Sequence, residues 1–61
     1  MQRDIRASDA EREKTVAALR HAVGEGRITM AEFEERTTAA YSAKTRAELD
    51  VLTADLPRSL W

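Results

Sequence analysis

One pattern occurs three times in this 61-residue chain and fixes where its helices must start. Ser8-Asp9-Ala10-Glu11, Thr29-Met30-Ala31-Glu32 and Thr45-Arg46-Ala47-Glu48 each read hydroxyl-x-x-glutamate. In such a capping box the hydroxyl oxygen accepts from the amide three residues on. The glutamate carboxylate reaches back and accepts from the amide of the hydroxyl residue. Two of the donors that every helix N-terminus leaves open are thereby satisfied. Three boxes predict three helices, over about 9–25, about 30–43 and about 46–56. The expected fold class is all-α, a small three-helix domain.

The middle box sits in the most constrained stretch, Gly26 to Arg36. Gly26 suits the residue just past the end of the first helix, because it adopts φ > 0 without a Cβ penalty. Gly24 is then an internal weak point of that helix. Ile28 precedes the Thr29 cap and Phe33 lies at the fourth helical position, the spacing of a hydrophobic staple. Eleven residues thus end one helix, begin the next and set the angle between them.

Apolar spacing agrees with this division. Val16, Leu19 and Val23 form a narrow stripe on the first helix. Phe33, Thr37, Ala40 and Tyr41 share a face on the second, and Leu49, Leu52 and Leu56 give the third its stripe. Pro57 stops any continuation. Val16, Leu19, Val23, Ile28, Phe33, Tyr41, Leu49, Leu52 and Leu56 are the expected large core residues. Such a core is small, so capping, close packing or a partner must add to burial. Residues 1–7 read as an N-terminal arm with Ile5 as its apolar contact, 8–57 as the domain, and 58–61 as a tail or the start of a linker.

Taken together, these residues resemble a SHOCT-like domain of unknown function found in actinobacterial proteins. The resemblance rests on Arg6-Ala7-Ser8-Asp9-Ala10-Glu11-Arg12-Glu13 at the start. It continues through Glu25-Gly26-Arg27-Ile28-Thr29 and Glu32-Phe33-Glu34-Glu35-Arg36, then Ala43-Lys44-Thr45-Arg46-Ala47-Glu48-Leu49 and Asp55-Leu56-Pro57. Thr37 stands where that pattern favours a more apolar side chain. The resemblance implies a domain to which no catalytic activity is assigned and which precedes a membrane-spanning segment or a second domain. It therefore implies the N-terminal part of a larger protein.

Composition narrows the chemistry. Ten basic and eleven acidic residues leave a net charge of −1 and no clustered cationic face for nucleic acid. A helix–turn–helix reader built from the second and third helices is the alternative. Its reading helix would carry Glu48, Asp50 and Asp55 against Arg46, which opposes phosphate contact. No cysteine and a single histidine are present, so His21 and Glu25 alone do not make a zinc site. Glu32, Glu34 and Glu35 lie in a first helical turn, where the charged form is favoured and no nucleophile accompanies them. No catalytic residue, cofactor or metal is expected, and no direct membrane insertion by this segment.

What remains is a non-catalytic helical interaction or oligomerisation module in the cytoplasm or at the cytoplasmic face of the membrane. Its expected partner is a protein, either another copy, as a homodimer, or a neighbouring domain. Arg27 and Arg36 are candidate contact residues, although Arg27 can also serve the last carbonyls of the first helix and Arg36 can pair with Glu32. Val51 falls off the Leu49–Leu52–Leu56 line, and Leu60 and Trp61 lie beyond Pro57; all three are candidates for an apolar docking contact.

Overall fold

The computed structural model describes residues 6–56, and Ile5, Pro57, Leu60 and Trp61 lie outside that range. Three helices follow one another: α1 (Asp9–Gly24), α2 (Met30–Ser42) and α3 (Arg46–Leu52). Each begins at a complete capping box. The Glu11 amide donates to Ser8 Oγ at 3.1 Å while the Ser8 amide donates to Glu11 Oε1 at 2.9 Å. The corresponding distances at Thr29 and Glu32 are 3.0 and 2.8 Å, and both are 3.2 Å at Thr45 and Glu48. Glu48 also accepts from the Lys44 amide.

α1 closes on a Schellman motif. Glu25 is the C-cap, and Gly26 follows at φ 73°, the one positive φ among the described residues. The Arg27 amide donates to the Ala22 carbonyl at 2.9 Å and the Gly26 amide to the Val23 carbonyl at 3.0 Å. Those two bonds satisfy carbonyls that the helix end leaves open. Gly24 is the last helical residue rather than an interior one. Beyond the turn, Ile28 is buried and packs with the half-buried Phe33 in one apolar cluster.

α3 is shorter than the sequence predicts, ending at Leu52 instead of near residue 56. The reason lies in one carbonyl. A continuing helix would give the Leu52 oxygen to the Leu56 amide. Instead Arg36 Nη1 takes that oxygen at 3.1 Å, and the Leu56 amide donates to the Thr53 carbonyl at 3.0 Å. The chain tightens into a succession of three-residue turns over 53–56. This swings Leu56 into the core, where it is buried.

The core has two parts. Val16, Ala40, Ala43 and Leu49 form one, with Ala7 and Leu52 against it. Leu19, Ala22, Ile28 and Leu56 form the other, with Val23 and Phe33 against it. Alanines do much of the filling, since Ala18, Ala22, Ala40 and Ala43 are all buried. Small side chains let helix axes approach closely, so each adds dispersion contact out of proportion to its own area.

Two expectations are corrected here. Tyr41 is not a core residue: it is 52% exposed, and its hydroxyl donates to Glu13 Oε2 at 3.3 Å. An aromatic ring with a polar tip is accommodated at the rim of the α1–α2 seam, where the tip stays wet. Arg6 and Ala7, placed with the N-terminal arm by the sequence, are tied to the α2–α3 link. Arg6 forms an isolated antiparallel bridge with Thr45, and the Ala7 amide donates to the Lys44 carbonyl at 3.0 Å.

Candidate interaction surface

Long charged side chains connect the helices in a closed circuit. Arg12 on α1 donates from Nε to the Ala43 carbonyl at 3.0 Å, capping the end of α2. Its Nη1 reaches Asp9 Oδ1 at 2.9 Å. Arg36 on α2 caps the end of α3 through Leu52 and grips Asp55 with both terminal nitrogens. Arg46 on α3 returns to α1, with Nε 2.9 Å from Glu11 Oε2. Glu11 therefore serves its own helix cap with one oxygen and a neighbouring helix with the other.

Arg36 pairs with Asp55, not with Glu32. At the i, i+4 position Glu32 is already committed to the Thr29 amide, so the guanidinium turns toward α3. Hydrogen bonding to Asp55 is the main reason the Arg36 pKa is raised and the Asp55 carboxyl lowered. The amide of Lys44, then that of Thr45, holds the Glu48 carboxyl below its ordinary range. These are signs of structural, charged-state stabilisation.

Of the sequence-predicted contact residues, Arg27, Arg36 and Val51 lie among the described residues. Arg27 is exposed; its backbone amide, not its guanidinium, serves the end of α1. Arg36 is absorbed in the circuit. Val51 on α3 is 72% exposed. Leu60 and Trp61 are outside the described residues, as is Pro57. His21 lies 3.9 Å from Glu25, an exposed i, i+4 pair at the end of α1. Among the described residues no group of three or more His, Cys, Asp or Glu side chains is placed to hold a metal ion.

Sequence reasoning missed one depression in the surface. Between α1 and α3 runs an open groove of about 170 Å³. Ala18 and Leu49, both buried, contribute to its lining, with Thr15 and Thr53 beside them. Four charged residues line it as well: Glu11 and Lys14 from α1, Arg46 and Asp50 from α3. Glu11 and Arg46 neutralise each other. Lys14 and Asp50 are exposed, and neither joins an ion pair among the described residues. Their i, i+3 neighbourhoods signal only a polar helix face, because the groove exists through the packing of two helices far apart in sequence.

The DUF1707 SHOCT-like domain family matches residues 5–57. The chain belongs to this family. Its three capping boxes, its Gly26 turn and the Arg36–Asp55 pair all fall within the matched segment, so the SHOCT-like domain is the whole described fold. The chain is also 44% identical over 52 residues to two uncharacterized proteins of Mycobacterium tuberculosis, MT0994 of strain CDC 1551 and Rv0966c of strain H37Rv. That segment covers 85% of this chain but 26% of each relative, so the chain spans about a quarter of their length. No solved structure matches. Among the described residues no helix is long and apolar enough to cross a membrane.

Proposed function

We propose that this SHOCT-like domain is a non-catalytic interaction module, the N-terminal domain of a longer protein. It docks to another copy of itself or to a neighbouring domain. The observation that carries this reading is the α1–α3 groove, which leaves Lys14 and Asp50 facing solvent across a depression lined in part by Ala18 and Leu49. A protein surface supplies what such a groove accepts: opposite charges for the two walls and hydrogen-bond partners for Thr15 and Thr53. The M. tuberculosis relatives favour a modular role, since the matched segment occupies only part of them. The compartment that goes with this reading is the cytoplasm, or the cytoplasmic face of the membrane where the longer protein is anchored there.

Amide resonances of the isotope-labelled chain test the proposal. They are followed while its own concentration is raised, and separately while the part of Rv0966c outside the matched segment is added. Shifts clustered on Lys14, Ala18, Leu49 and Asp50 in either titration support the module. Resonances that stay fixed in both remove it.

A further inference from the structure

We infer that the occupant of the α1–α3 groove is a second copy of the same chain, docked about a two-fold axis with Lys14 of each copy against Asp50 of the other. This rests on the reading of the domain as an interaction module and names its partner. The argument is one of charge and symmetry. A two-fold interface is self-complementary, so a residue i that meets residue j on one side meets it again, reversed, on the other. A groove with Lys14 on its α1 wall and Asp50 on its α3 wall, neither in an ion pair among the described residues, has that property. With the two-fold axis running along the groove, α1 of each copy lies opposite α3 of the other, and both charges find a partner. The remaining charges, Glu11 and Arg46, already neutralise each other at 2.9 Å within each copy. Thr15 and Thr53 offer hydroxyls that can donate or accept across the axis, and Ala18 and Leu49 are the apolar part of the lining.

Val51 takes no part. At about 100° per residue it is turned away from Asp50, and it does not line the groove. It serves as a control.

Sedimentation velocity over a wide concentration range, at low and at high salt, measures the association directly. The wild-type chain is expected to dimerise, and the dimer to weaken as salt is added, because the two pairs are exposed. Lys14→Glu and Asp50→Lys each set like charges across both halves of the axis. Each should weaken the dimer by roughly tenfold or more. An equimolar mixture of the two variants restores both opposite-charge pairs and should sediment as a heterodimer. Because the mixture reads recovery, a variant that merely lost its fold could not mimic it. Val51→Ser should dimerise as the wild type does. A wild-type chain that stays monomeric throughout, or a mixture no more associated than its components, overturns the two-fold proposal. If the chain stays monomeric while its groove resonances still respond to the added part of Rv0966c, the two-fold pairing fails and the interaction module stands, with a neighbouring domain as occupant. If neither titration moves them, both fail.

Discussion

Arg36 and Asp55, 19 residues apart, meet in a two-pronged ion pair, with Nη1 2.9 Å from Oδ1 and Nη2 3.0 Å from Oδ2. The same Nη1 holds the Leu52 carbonyl, so one guanidinium both ends α3 and anchors the turn after it. The Arg36 side chain is 22% exposed and Asp55 62%, which places the pair at the edge of the domain rather than inside it. Geometry compensates for that exposure: a planar fork matched to a carboxylate loses less conformational freedom per bond than a lysine would.

Replacing Arg36 removes the fork and the carbonyl cap together. Arg36→Ala should destabilise the domain by about 1–2 kcal/mol, and Arg36→Lys should recover only part of it. Asp55→Asn leaves the cap in place and should lower the melting temperature less. Urea unfolding followed by circular dichroism at 222 nm ranks the three; equal loss from Arg36→Ala and Asp55→Asn would deny the carbonyl a separate role.

Acid should weaken the domain through α3. Asp55 and Glu48 are both held below their ordinary values of 3.8 and 4.5, chiefly by Arg36 and by the Lys44 amide respectively. For a carboxyl depressed in the folded state, the unfolded chain binds the proton first. Stability from these groups is therefore complete above their ordinary values and is lost as pH falls toward the depressed ones. A melting temperature that is flat near neutrality and drops below about pH 4.5 is expected. The double variant Glu48→Gln, Asp55→Asn should show a shallower decline; an unchanged profile would assign the acid sensitivity elsewhere.

The two glycines should respond with opposite sign. Neither has a heavy atom within 4 Å of where a Cβ would stand, so backbone conformation alone decides. Gly26 is at φ 73°, and Gly26→Ala should cost about 1 kcal/mol. Gly24 ends α1 in helical conformation, and Gly24→Ala should stabilise by about 0.5–1 kcal/mol. Thermal melts of the two variants are a direct comparison, and shifts in the same direction would contradict the assignment of Gly26 as the left-handed residue.

Thr37 carries a buried hydroxyl oxygen with no hydrogen-bond partner among the described residues. Thr37→Val keeps the branched shape and removes the orphan. It should stabilise the domain by about 1 kcal/mol, read as a higher midpoint in urea. A loss of stability instead would show that the hydroxyl is satisfied in solution.

Duplex DNA should not bind at moderate salt. Arg12, Arg36 and Arg46 are committed to contacts within the domain, and acidic residues outnumber basic ones. Fluorescence anisotropy of a labelled duplex checks this, and binding that weakens steeply with salt would reinstate the helix–turn–helix alternative.

The helix starts were legible because capping is local: a hydroxyl and a glutamate three apart carry the whole signal. The end of α1 was legible for the same reason, through Gly26. The end of α3 was not. It is set by Arg36, and nothing near Leu52 in sequence announces that its carbonyl will be taken. The contact from Arg12 to Ala43, 31 residues away, was hidden likewise. Tyr41 misled because helical spacing places a side chain on a face but not at a depth. Ala40 was placed on an apolar face by its spacing, but the buried Ala18, Ala22 and Ala43 escaped notice because alanine carries little hydropathic signal. The groove depends on the packing angle of α1 against α3, and so it had no sequence signature of its own.

Leu49 belongs to one half of the core and Leu56 to the other, and the short segment between them is the shared wall of both. A chain cut before α3 would lose Leu49 and Leu52 from one half and Leu56 from the other. The domain is accordingly expected to melt in a single step, without a surviving helical hairpin. The fold is thus held by its last short helix as much as by its two longer ones.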